Sequence, residues 1–167
     1  MILAKLLCTA LLAAGVGGSE ARGRFACEQL PTVIKYSEAY DVDPILMISL
    51  IHHESRWNPR VVSRSNACGL TQVLPKYSAG YRNRFGEKLT CEDLKDPTTS
   101  IERGTNILSY WIKQYARGDI AIALCGYNKG FRCKGKNPHP TGMRYARMVM
   151  STARKIQREF IKIDHTD

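Results

Sequence analysis

Asp43-Pro44-Ile45-Leu46-Met47-Ile48-Ser49-Leu50-Ile51-His52-His53-Glu54-Ser55 is the stretch from which the rest of the chain can be read. Asp43 can accept from free backbone N–H groups and Pro44 suits the first helical position, so a helix starts here. Ile45, Leu46, Met47, Ile48, Leu50 and Ile51 leave that helix almost no polar face over two turns, which assigns it to a core rather than a surface. His52, His53 and Glu54 follow where the apolar run ends, and Asn58-Pro59 stops the helix. A carboxylate at the end of a buried helix is partly desolvated, which disfavours its ionised form and raises its pKa. Glu54 is therefore a candidate proton donor, set against the plainer reading of a helix-end charge paired with Arg56 or Arg60.

Outward from this segment the pattern stays helical, with little strand-like alternation, and the fold class is all-α. A helix is expected over 27–40, with Leu30, Val33, Ile34 and the ring of Tyr36 or Tyr40 facing inward. Residues 59–96 are rich in Ser, Asn, Gly, Lys and Arg and read as loops with short helical turns. Asp96-Pro97 repeats the capping signature and opens a helix to about residue 117, where Ile101, Leu108, Trp111, Ile112 and Tyr115 recur at helical spacing. Gly104 lies on that face, and a close helix contact there would offset the roughly 1 kcal/mol that a mid-helix glycine costs. Asp119 caps a short helix through Ala123 that ends near Gly126-Tyr127-Asn128, a basic loop runs to Pro140, and a last helix over 143–160 aligns Tyr145, Val149, Thr152, Ile156 and Phe160.

The chain has 167 residues, 44% hydrophobic and 24% charged, which suits one folded domain and excludes a disordered composition. Its first segment is set apart: Lys5 precedes an apolar run over 6–16, followed by Gly17, Gly18, Ser19 and Ala21. Residues 1–21 are expected to be an export signal with a cleavage site at Ser19-Glu20-Ala21, or else an uncleaved tether. The run falls short of the roughly 20 residues that span a bilayer, so no stable span is expected once it is removed. That removal takes away one Lys and one Glu, and the net charge stays at +10. A basic exported protein needs an acidic partner, and export shifts that partner from nucleic acid toward the cell wall or envelope. Five cysteines follow the signal, spaced for disulfides rather than for zinc. Cys68 with Cys91 and Cys125 with Cys133 is the preferred pairing, since each closes a loop beside a candidate motif. Cys27 is then odd, unless Cys8 stays attached as its mate.

Three short motifs occur in order: Glu54-Ser55, Gly69-Leu70-Thr71-Gln72 and Gly126-Tyr127-Asn128. Together they resemble the soluble lytic transglycosylase family, whose domain is similar to goose-type lysozyme, in its Glu-Ser, Gly-Leu-Met-Gln and Ala-Tyr-Asn signatures. Thr71 stands where that family usually has Met and Gly126 where it usually has Ala, both read as adjustments to the groove wall. Ile107, in Gly104-Thr105-Asn106-Ile107-Leu108, replaces the aromatic ring of the family's Gly-x-x-Tyr-Leu element. The resemblance implies a single lysozyme-like helical domain over 22–167 with a substrate groove. It implies Glu54 as general acid and then base, Ser55 orienting it or the substrate, Gln72 lining the groove, Tyr127 near the scissile sugar, and Asn128 holding the loop or the substrate. Their plainer readings are a helix terminator, an exposed amide, a core ring and a loop residue.

The reaction so implied is non-hydrolytic cleavage of peptidoglycan glycan strands, with Glu54 alone making both proton transfers and a 1,6-anhydro-muramoyl end closing. No second carboxylate falls inside the motifs, where ordinary glycosidases need one. No cofactor or metal is expected: His52-His53-Glu54 lacks the second His four residues on, and neither a phosphate loop nor a nucleophile elbow is present. Glu87, Glu92, Asp93 and Asp96 read as surface or capping residues, and His139 and His165 as solvated. Basic stretches over 56–64, 82–88 and 129–136 could hold the chain on the wall. A lysozyme-type hydrolase, a catalytically inactive wall-binding or assembly module, and a basic membrane- or nucleic-acid-binding protein are the competing classes. Among partners, a secretion, conjugation or phage assembly that spans the envelope is the one the resemblance favours.

Overall fold

The structure, a computed structural model, is described over residues 1–165 and is built of helices. The quoted segment forms α3, Pro44–Ser55, with the Asp43 carboxylate accepting from the Ile45 N–H at 2.8 Å. Every residue from Ile45 to Ile51 is buried. At about 2 kcal/mol for each large apolar side chain removed from water, this helix is the largest local contributor to the core. It ends at Ser55, three residues before the expected Asn58-Pro59 stop, because Arg56 and Trp57 both adopt left-handed φ values. Trp57 is fully buried beneath the turn.

Other helices complete the bundle, with α2 and α7 packed directly on α3. They are α1, Ile2–Ala13; α2, Glu20–Tyr40; α4, Cys91–Leu94; α5, Pro97–Tyr110; α6, Ile120–Lys129; and α7, Pro140–Asp164. The long α7 is the common neighbour of α1, α3 and α6, while α2 packs on α5, α1 and α3. Asp96 and Asp119 cap α5 and α6 by accepting from the Thr99 and Ile122 N–H groups. His139 caps α7, its Nδ1 accepting from Gly142 at 3.3 Å, so this ring has a structural partner.

Several boundaries differ from the sequence reading. The α5 segment gives way to a π-helical turn over Trp111–Tyr115. The α6 helix ends at Lys129, so Gly126-Tyr127-Asn128 forms its last turn, as the sequence reading placed it. The close contact at Gly104 is made to the 69–72 loop: a Cβ there would lie 2.4 Å from Thr71 Cβ and Oγ1. Residues 59–90 are irregular, with 3-10 turns at Pro75–Tyr77 and Tyr81–Asn83, and are tied down by the Cys68–Cys91 bridge.

The N-terminal segment lies in the core. Leu7, Ala10, Leu11 and Val16 are buried, α1 packs on α7 and α2, and Cys8 is bonded to Cys27. The α2 helix begins seven residues before Cys27, with Ser19 Oγ accepting from the Arg22 N–H, so Glu20 and Ala21 are helical. Among the described residues no helix is long and apolar enough to cross a membrane.

Candidate active site

Glu54 sits in the last turn of α3, where the helix leaves the core. Its Oε1 accepts a 2.6 Å hydrogen bond from the Tyr145 hydroxyl of α7. Burial pushes the Glu54 carboxyl up to about 7, and the Tyr145 bond opposes that rise without cancelling it. The carboxyl is thus poised to give and take a proton near neutrality. The same carboxylate, after burial itself, drives the phenols of Tyr127 and Tyr145 well above their ordinary range, so both stay protonated.

Two histidines brace the end of α3. His53 Nε2 lies 2.7 Å from Thr152 Oγ1 on α7, and His52 Nδ1 accepts from the Gly17 N–H at 3.1 Å. Burial lowers both, His52 to about 4, so both rings are neutral at physiological pH. Ser55 is buried and donates to the Ile51 carbonyl at 3.1 Å, a bond within its own helix.

The second motif is held from behind. Thr71 is fully buried: its hydroxyl donates to the Ser100 carbonyl at 2.7 Å and its N–H to Ser100 Oγ at 3.1 Å. It is an anchor of the loop, not the groove-wall residue expected from the sequence. Gly69 has φ +79° and a Cβ there would lie 2.0 Å from the Leu94 carbonyl oxygen, so the position requires glycine. Gln72, at φ 52°, donates to the Val61 and Gly69 carbonyls, both at 3.0 Å, which fixes its side chain against the loop. Tyr127 ties the third motif to the second, its hydroxyl donating to the Thr71 carbonyl at 2.7 Å.

Gln72, Tyr127 and Asn128 all line one cleft of about 760 Å³, together with Tyr77, Tyr81 and Phe131. Glu54 and Ser55 are not in its wall. Tyr127 is the link, lining the cleft while feeling the Glu54 charge. No Asp or Glu lines the cleft, so Glu54 has no carboxylate partner there. Among the described residues no three His, Cys, Asp or Glu side chains cluster as metal ligands. Sequence reasoning missed Tyr145, which it placed only on a core stripe. It also missed the ring cluster of Tyr81, Tyr110, Trp111, Tyr115 and Phe131 on one side of the cleft, whose signal was the aromatic content of 110–115.

A helical domain with one buried carboxyl behind the wall of a cleft is the arrangement of the lysozyme-like class. The solved 70-kDa soluble lytic transglycosylase of Escherichia coli superposes with a TM-score of 0.64 at 20% identity, covering 77% of this chain and 24% of that one. The lytic transglycosylase Slt of Pseudomonas aeruginosa gives 0.66 at 20% identity, covering 77% and 24%. At such identities the likeness speaks for the fold alone. The chain belongs to the Transglycosylase SLT domain family, whose profile matches residues 31–146. Membrane-bound lytic murein transglycosylase C of Pectobacterium atrosepticum is 37% identical over 98 residues, 56% of this chain and 27% of that protein. Its counterpart in Glaesserella parasuis is 36% identical over 93 residues, 53% and 25%. The chain thus spans about a quarter of the length of these relatives.

Proposed function

We propose that this chain is a peptidoglycan lytic transglycosylase that cleaves the MurNAc-GlcNAc β-1,4 bond without water and leaves 1,6-anhydro-muramoyl ends. The observation that carries this reading is the lone Glu54 carboxyl, raised to about 7 and held by Tyr145. In the forward step protonated Glu54 gives its proton to the bridging oxygen as the C1–O bond breaks. The substrate's N-acetyl group stabilises the cationic carbon. Glu54, now a carboxylate, takes the proton of the muramoyl 6-hydroxyl, whose oxygen bonds to C1 and closes the second ring. One carboxyl thereby acts as acid and base, and no second carboxylate is needed. Gln72, Tyr127 and Asn128 bind the strand through their place in the cleft wall. Ser55 serves by ending α3 in register, supported by its bond to Ile51.

Three disulfides and the apolar N-terminal segment support action outside the cytoplasmic membrane, in the periplasm or cell envelope. Residues 1–21 direct that export, and local wall opening beside an envelope-spanning assembly is the role proposed. Mass spectrometry of digested peptidoglycan tests the reaction: the expected muropeptides end in anhydro sugars, lighter by one water than hydrolysed ends. Reducing ends alone would assign a lysozyme-type hydrolase instead. Wall clearance by Glu54→Gln equal to that of the unchanged chain would remove Glu54 from the mechanism.

A further inference from the structure

Phe131 is an anomaly in the cleft wall: a large apolar ring 71% exposed to solvent and yet held in place on several sides. Trp111 and Tyr115 back it at centroid distances of 5.1 and 5.5 Å. The Cys125–Cys133 bridge closes the short loop that carries it, and the Cys133 N–H donates to the Tyr115 hydroxyl at 3.3 Å. A ring pinned by its neighbours and uncovered on its outer face keeps that apolar face available for burial against a ligand.

The backing rings are buried in a small apolar cluster with Ala116, Ala123 and the Cys125–Cys133 bridge, and local features of the chain place them there. The π-helical turn over Trp111–Tyr115 adds a residue to the helical turn and brings Trp111 and Tyr115 edge to face at 4.9 Å. Trp111 lies flush on α6 because residue 126 is glycine: a Cβ there would lie 2.5 Å from Trp111 Cε3. On the other side of Trp111 the rings continue through Tyr110 at 5.2 Å to Tyr81 at 4.2 Å. Tyr81, Tyr110, Trp111 and Phe131 all line the cleft, and among them Phe131 is the ring left largely uncovered. Pyranose rings carry C–H bonds on one flat face and hydroxyls at the rim. An aromatic face flanked by polar groups matches that chemistry.

We propose that Phe131, held over the cleft by Trp111, Tyr115 and the Cys125–Cys133 bridge, is a stacking platform for an N-acetylated sugar of the glycan strand outside the bond being cleaved. The assignment rests on the reading of the cleft as a glycan site. Phe131 thereby sets affinity for long strands without touching the proton transfers at Glu54.

The test is titration of the intact, disulfide-bonded protein with tetra-N-acetylchitotetraose, read by tryptophan fluorescence. Trp57 is fully buried, so a ligand-dependent change reports Trp111. Phe131→Ala is expected to weaken binding about tenfold, the scale of one lost aromatic contact, and Phe131→Tyr to restore it to within about twofold. On peptidoglycan the same Ala variant should raise KM and leave kcat unchanged. Equal affinity of Phe131→Ala and the unchanged chain, failure of Phe131→Tyr to restore binding, or no saturable binding by the unchanged chain would each overturn the platform. Glu54→Gln should bind the tetrasaccharide normally. If the unchanged chain binds through Phe131 but yields no anhydro ends, the proposed reaction falls and the sugar platform stands.

Discussion

The carboxyl centre on the inner side of Tyr127 and the aromatic wall of the cleft are built by opposite means. On the inner side α3, the 69–72 loop, α6 and α7 are cross-tied by hydrogen bonds between buried groups, Tyr145 to Glu54, Tyr127 to Thr71 and Thr71 to Ser100. On the outer side the contacts are ring on ring, around an exposed phenylalanine and one disulfide. Proton transfer needs atoms fixed to a fraction of an ångström, which directional bonds in a low-dielectric surrounding provide. Binding a flat sugar needs only a face at the right height, which packing provides. The difference teaches that damage to the inner side should appear in the rate and pH profile, and damage to the outer side in affinity.

The sharpest break is Glu54→Gln, which keeps the shape and removes the proton. Loss of turnover by about a thousandfold is expected, measured as anhydro-muropeptide release. The same variant has an opposite effect on stability. The folded carboxyl at about 7 lies above its unfolded value, so its contribution is fully present below about pH 4 and is lost as pH rises through 7. Glu54→Gln should therefore melt higher than the unchanged chain at about pH 8, by up to about 3 kcal/mol, and equally near pH 4. A second break is Tyr145→Phe. Removing the bond that restrains the carboxyl lets its pKa rise further, so the alkaline limb of kcat/KM should move upward while kcat falls ten- to a hundredfold, roughly. A limb that stayed in place would show that Tyr145 is only packing.

Gly104→Ala probes the support of the inner side. Its Cβ would enter the space of Thr71, and a cost of about 1–3 kcal/mol in thermal unfolding is expected, with activity falling as the loop shifts. The smallest effect belongs to the outer side: Phe131→Ala should change stability by less than about 0.5 kcal/mol, since the ring is mostly in water. A large loss there would mean that the ring holds the fold rather than the ligand.

Much of this was legible before the structure. The Asp-Pro caps of α3 and α5 and the all-apolar 45–51 run carry their meaning locally, because capping and burial are properties of a few adjacent residues. Three motifs singled out Glu54, Gln72 and Tyr127, although the sequence could not say that Tyr127 would line the cleft while feeling the Glu54 charge. Tyr145 was hidden because helical periodicity marks a ring as inward without revealing that its hydroxyl meets an acid 91 residues earlier. Thr71 was misplaced in the groove wall for a similar reason: the partner that draws it inward, Ser100, is remote in sequence.

The pairing of Cys8 with Cys27 gives the chain an arithmetic that alkylation can read. With residues 1–21 in place all six cysteines are consumed in three bridges and no sulfhydryl reacts. A polypeptide trimmed after Ala21 carries five, and its Cys27 becomes the single reactive sulfur, on the surface of α2 that α1 had covered. Recombinant forms starting at Arg22 would therefore carry a handle for intermolecular bridging that the form with residues 1–21 lacks.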